Sequence, residues 1–210
     1  MHQTTKVKAT AALSQRIDFI HERNELRDSI DTKLVAWLNK LGLLVFPIPN
    51  AYDSHHFDLW IENLSPEVIV LSGGNDIGEY PQRDSTESKL IKYAQTNNKP
   101  LLGICRGMQM MAKYFGVDLE TIKGHSCERH KIKSLSKNIT YPDIVNSYHN
   151  LRIQSCPPDF EVTAIADDGT IEAMRHLYFQ WECWMWHPER DTPFSENLIN
   201  ISKNLFFKEL

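Results

Sequence analysis

The run Pro100-Leu101-Leu102-Gly103-Ile104-Cys105-Arg106-Gly107-Met108-Gln109 holds one cysteine between two glycines, where an apolar stretch gives way to a helical pattern. A strand that turns sharply into a helix forces its junction residue into a strained conformation. The flanking glycines leave room for that turn and for a substrate to approach. The helix N-terminus that follows carries unpaired N–H groups, which stabilise a thiolate. The pattern predicts a nucleophile at Cys105.

Outward from this run, residues 101–104 read as a strand and residues 106–115 as a helix. Upstream, Val68-Ile69-Val70-Leu71 is a second short apolar run, stopped by Ser72-Gly73-Gly74, and Leu43-Leu44-Val45-Phe46 is a third, stopped by Pro47 and Pro49. Amphipathic stretches lie between them. Residues 21–41 carry Leu26, Ile30, Leu34, Val35, Leu38 and Leu41 at helical spacing and end at Gly42; residues 57–64 and 86–96 follow the same period. Strand and helix alternate, and the strands are continuously apolar. This predicts an α/β fold with a mostly parallel sheet covered by helices on both faces. Ligands gather at the carboxyl ends of such strands, where Gly73-Gly74 and Cys105 both fall.

Downstream, residues 116–142 are polar and aperiodic and read as loops inserted after the nucleophile helix. Residues 160–166 and 171–174 flank the turn Asp167-Asp168-Gly169 and read as a hairpin. Residues 183–186 form the last predicted strand, ahead of His187-Pro188-Glu189, and residues 194–207 the last helix.

A chain of 210 residues suits one domain spanning 1–210. With 23 Lys+Arg against 27 Asp+Glu there is no basic field to bind nucleic acid. Residues 1–6 lack the apolar core of a secretory leader, and no run of about 18 apolar residues occurs, so the expectation is a cytoplasmic protein without membrane contact. Cys105, Cys127, Cys156 and Cys183 are widely spaced, which indicates neither a disulfide framework nor a zinc ribbon.

A cysteine nucleophile needs a base within reach and a third group to orient it. His187 and Glu189 supply both. If that segment stays extended, residues two apart point to one face, so Glu189 bonds one imidazole nitrogen and leaves the other for Cys105.

These residues also carry a family resemblance. Ser72-Gly73-Gly74-Asn75-Asp76, Arg83-Asp84-x-x-Glu87, the cysteine run and Trp186-His187-Pro188-Glu189, in that order, resemble the class I glutamine amidotransferases and, within them, the stand-alone γ-glutamyl hydrolases. The resemblance implies a flavodoxin-like sheet with a small antiparallel extension, and cleavage of a γ-glutamyl amide through a thioester on Cys105. It also implies His187 as base and later acid, Glu189 as its orienter, and an oxyanion hole from the backbone N–H groups of Gly74 and Arg106. Gly73, Gln109, Tyr148 and His149 match positions that line the substrate pocket. For Tyr148 and His149 the alternative is a polar loop with one buried aromatic, and for Arg83 and Glu87 an ordinary ion pair. No cofactor and no metal are implied, and oligomeric state is left open.

The chain departs from the hydrolase pattern where Asn150 replaces a second histidine and Met185-Trp186 replace a glutamine. Met185 to Arg190 instead resemble a subgroup linked to capsule polysaccharide synthesis, which frees cytidine diphosphoramidate from its γ-glutamyl form. A nucleotide-linked small molecule is then the expected substrate. Arg106, Lys123, His125, Arg129, His130 and Lys131 form either a phosphate-binding cluster or a solvated loop. Trp181, Trp184 and Trp186 either pack or stack on a base. The alternatives to this activity are a γ-glutamyl-γ-aminobutyrate-type hydrolase and a glutaminase subunit that feeds ammonia to a synthetase.

Overall fold

The computed structural model describes residues 7–207; residues 1–6, read above for a leader, lie outside them. The chain opens with β1 (Ala9–Leu13), β2 (Arg16–Ile20), β3 (Glu25–Ser29), α1 (Thr32–Leu41), β4 (Leu43–Pro47), α2 (Ser54–Leu64) and β5 (Val68–Leu71). It continues through α3 (Pro81–Thr96), β6 (Leu101–Ile104), α4 (Arg106–Tyr114), β7 (Leu119–Thr121), β8 (Ser126–Ser134), β9 (Ile144–Tyr148) and β10 (Leu151–Ile153). The last elements are β11 (Phe160–Ala166), β12 (Ile171–His176), β13 (Trp181–Trp184) and α5 (Glu196–Phe207).

One nine-stranded sheet, ordered β4-β1-β5-β6-β13-β12-β11-β8-β9, organises the fold. The first five strands pair in parallel. The remaining four extend the sheet in antiparallel pairing. Within the parallel part, chain order reverses between β1 and β5. Crossovers leave that point in opposite directions and open a crevice at the strand ends.

Alternate residues of the inner parallel strands β1, β5 and β6 are buried on opposite faces. Ala11, Leu13, Val68, Val70, Leu102 and Ile104 pack with Trp37 and Leu38 of α1 and Leu198 and Phe206 of α5. Ala12, Ile69, Leu71 and Leu101 pack with residues of α2, α3 and α4, including Phe57, Ile91, Met108 and Met111. Burial on both faces is why these strands show no polar alternation. The tryptophans belong to this packing. Trp184 and Trp186 stack at 5.6 Å on one face, while Trp181 lies in the cluster of the other. All three are buried, so none is free to stack on a base.

Gly107 lets α4 rest directly on β5. A Cβ there would lie 2.4 Å from the Leu71 carbonyl oxygen, and one at Gly103 would lie 2.9 Å from the Gly107 carbonyl carbon. The glycines beside the cysteine thus serve strand–helix contact rather than substrate approach.

Two expectations are corrected. Residues 21–41 are not one helix. Asn24 turns left-handed at φ 49°, β3 pairs back on β2, and the helix starts only at Thr32, capped by the Asp31 side chain. Leu26, counted in the helical stripe, is 53 % exposed on that hairpin. Residues 116–142 are not merely loops either. They contain β7 and β8, which escaped notice because β8 buries only Ile132 and so lacks an apolar alternation. Among the described residues no helix is long and apolar enough to cross a membrane.

Candidate active site

Cys105 stands between β6 and α4 at φ 51°, ψ −104°, a conformation L side chains rarely adopt. Its N–H donates to the Trp184 carbonyl at 2.7 Å, and its carbonyl accepts from the N–H groups of Met108 and Gln109. The junction is therefore held from the neighbouring strand and from its own helix, which sustains the strain. Arg106 opens α4, so its N–H is among those with no acceptor inside the helix.

His187 follows β13, next to β6 in the sheet. Its Nδ1 lies 2.7 Å from Glu189 Oε1, which leaves Nε2 for the Cys105 sulfur. The relay is built differently from the extended segment expected. Pro188–Arg190 form a short 3-10 turn, opened by the proline, that folds the carboxylate back to the ring. Asn146 fixes the histidine backbone from both sides: its Oδ1 accepts from the His187 N–H at 3.0 Å and its Nδ2 donates to the His187 carbonyl at 2.8 Å. Burial alone would lower the imidazole pKa. The charge on Cys105, its hydrogen bond and Glu189 outweigh that and raise it to about 9.

The loop after β5 completes the geometry. A Cβ at Gly73 would lie 2.6 Å from His187 Cε1, and Gly74 sits at φ 124°. Arg83 donates to the carbonyls of Ser72 and Gly73, both at 2.9 Å. A trans peptide opposes its C=O and N–H, so the Gly74 N–H points away from Arg83.

Arg83 belongs to a buried ionic network. Glu87, with no exposed surface, accepts from Arg83 Nε at 3.2 Å, from Ser14 Oγ at 2.8 Å and from the Arg106 guanidinium, which also pairs with Asp84. Burial lowers Arg83 to about 10 and Arg106 to about 9, so both stay charged at neutral pH. Asn75 joins in, accepting from Arg83 Nη1 through its side chain and from Arg106 Nε through its carbonyl. Arg83 and Glu87 are thus an ion pair that shapes the loop from behind. Neither reaches the cleft as a substrate contact.

A cleft of about 290 Å³ borders this centre, lined by Arg16, Ser72, Gly73, Gly74, His187, Glu189 and Arg190 together with Asp18 and Asp31. Tyr148 stands edge-on to the His187 ring at 5.7 Å, and Arg190 lies over its face at 4.2 Å. Gln109, His149 and Cys105 itself do not line this cleft. Gln109 is buried and donates to the Leu151 carbonyl at 3.0 Å. His149 is buried against Glu172 and His125. The six cations read as one cluster are dispersed: Arg106 is buried, His125 and His130 face Glu172, and Arg129 pairs with Asp191 at 2.7 Å. Ser14, Asn75 and Asn146 were given no role from the sequence. Asn75 and Asn146 lie in segments singled out for their neighbours, whereas Ser14 carries no local signal.

A strained, held cysteine, an imidazole paired with a buried carboxylate and a glycine loop against that imidazole are parts that acyl transfer uses. The chain belongs to the class I glutamine amidotransferase family, whose model matches residues 25–202. It is 34% identical over 166 residues to the γ-glutamyl-CDP-amidate hydrolase of Campylobacter jejuni, covering 76% of this chain and 78% of that protein. It is 32% identical to anthranilate synthase component 2 of Cyanophora paradoxa, with 77% and 86% covered. A glutamine amidotransferase from Thermotoga maritima shares the fold at a TM-score of 0.65 and 17% identity, over 93% of this chain and 82% of that one.

Proposed function

We propose that the protein is a cysteine-dependent hydrolase that cleaves the C–N bond between a γ-glutamyl group and an amine or phosphoramide nitrogen through a γ-glutamyl thioester. The observation that carries this reading is the buried line from Cys105 through His187 to Glu189, set beside the Gly73-Gly74 loop. The Cys105 sulfur attacks the γ-carbonyl, and its oxyanion is met by the N–H groups of Gly74 and Arg106. Each such donor is worth about 3–4 kcal/mol of barrier. His187, oriented by Glu189, gives its proton to the departing nitrogen as the C–N bond breaks. Water then adds to the thioester, His187 takes its proton, and glutamate leaves as the sulfur is regenerated.

The substrate we infer is γ-glutamyl-CDP-amidate, yielding glutamate and cytidine diphosphoramidate. Two features support it: the resemblance to the Campylobacter jejuni hydrolase, and the presence of Arg16 and Arg190 on the cleft wall, where a diphosphate would need cations. On this reading the product serves capsule phosphoramidate decoration in the cytoplasm. Purified protein should release glutamate from this substrate, and Arg190→Ala should raise KM for it while leaving a γ-glutamyl-aminobutyrate control unaffected. Turnover of the aminobutyrate compound alone would refute the nucleotide assignment. The likeness to anthranilate synthase component 2 favours one other reading, an ammonia-supplying subunit, whose glutamine turnover would rise when a synthetase is added.

A further inference from the structure

Away from the cysteine, four residues from separate parts of the antiparallel half converge. His125 precedes β8, His130 lies within it, His149 follows β9, and Glu172 lies in β12. Glu172 is fully buried, and among the described residues neither of its carboxylate oxygens has a hydrogen-bond partner. Three imidazoles face it instead. His125 Nδ1 and His149 Nε2 are each 3.4 Å from Oε1, and His130 Nε2 is 3.4 Å from Oε2. Nothing in these contacts meets hydrogen-bond geometry, and the facing nitrogens are without partners as well.

The outer nitrogens explain why. His125 Nε2 lies 3.0 Å from Asp168 Oδ2, and His149 Nδ1 lies 3.1 Å from the Leu151 carbonyl oxygen. Both acceptors require an N–H. A neutral imidazole has one, and its inner nitrogen then turns a lone pair towards the carboxylate; on His125 a second proton, which Glu172 and Asp168 favour, would fill that place instead. Lone pairs facing a buried carboxylate repel unless protons or a metal cation lie among them, and an uncompensated buried charge costs several kcal/mol. Histidines whose outer N–H is held by a carboxylate or a backbone carbonyl are the arrangement that orients metal ligands.

We propose that His125, His130 and Glu172 bind a divalent transition-metal ion, with Zn²⁺ the best fit, and that His149 is the nearest group for a fourth position. The ligand atoms of His125, His130 and Glu172 all lie within 4.8 Å of one another. The three nitrogen–oxygen separations of 3.4 Å fit. A tetrahedron with bonds of about 2.0–2.1 Å has edges of about 3.3–3.4 Å, and imidazole with carboxylate is a zinc ligand set. Such a site is structural. It joins β8, the end of β9 and β12, and Glu172 also accepts through its carbonyl from the Met185 N–H at 2.8 Å, on the segment leading to His187.

The test is metal content. Tag-free protein passed over a desalting column should retain stoichiometric zinc by plasma mass spectrometry, and a strong chelator should lower its Tm, which added Zn²⁺ restores. His130→Gln is the informative variant, because that side chain is 16 % exposed and makes no hydrogen bond that the substitution would break. It should fold yet lose zinc, whereas Cys105→Ala should keep it. Protein that takes up no zinc at micromolar concentration, or zinc retained unchanged in His130→Gln, overturns the proposal; the cluster would then hold shared protons.

Discussion

Cys105 at φ 51° stores strain of order 1–3 kcal/mol, and the contacts that hold it are contributed by β13 and α4 rather than by the cysteine. The same holds for its partner. His187 reaches a pKa of about 9 because Cys105 and Glu189 together overcome burial. This raised value lies above the 6.5 of a free imidazole, so the stability that the pairing contributes is complete below pH 6.5 and is lost as pH rises through 9. Cys105→Ala removes one cause. The His187 resonance followed by NMR should then titrate clearly below 9, and an unchanged value would show that the sulfur does not face the ring. At this scale the glycines around Cys105 encode its turn, whereas His187 and Glu189 were singled out by a spacing read as extended that is a 3-10 turn in the structure. Asn146 and Ser14 were not, since their roles exist only through partners 41 and 58 to 73 residues away.

At the scale of elements, a buried ionic network joins α3 and α4 to the loop after β5. Glu87 is the acceptor common to Arg83, Arg106 and Ser14. Removing it leaves two buried guanidinium groups with Asp84 as the remaining acid. Glu87→Ala should therefore cost roughly 3–5 kcal/mol in urea unfolding. A loss under 1 kcal/mol would mean that the network relaxes to solvent. The parallel strands β5 and β6 were readable because double burial makes them short apolar runs, and the edge strand β4 because its apolar run is stopped by prolines. The β2–β3 hairpin was not. Its exposed Leu26 happened to fall in register with the stripe of α1, and periodicity cannot separate an exposed strand from the start of a helix.

Across the whole molecule, the parallel half presents Ser14, Gly73, Cys105 and His187 at its carboxyl ends, while the antiparallel half brings Asn146 and Tyr148 up beside them. The order reversal between β1 and β5 puts the cleft where it is, a consequence of topology that the alternation of strands and helices foreshadowed. The halves meet at β13, where Glu182 is buried. Burial raises its pKa from the ordinary 4.5 to about 7, with Arg175 at 3.7 Å and the Tyr141 hydroxyl at 3.0 Å offsetting only part. The folded chain then holds an extra proton between those values. Stability should fall by roughly 3 kcal/mol as pH rises from 4.5 to 7, and Glu182→Gln should remove that component of the slope in a Tm series.

The proposed chemistry requires the sulfur of Cys105 to carry the glutamyl group. Acid quenching during turnover, followed by peptide mass spectrometry, tests it most directly. A γ-glutamyl adduct on the peptide containing Cys105, absent together with glutamate release in Cys105→Ala, is the predicted result. Glutamate release that persists in Cys105→Ala, or an adduct on another residue, would contradict it.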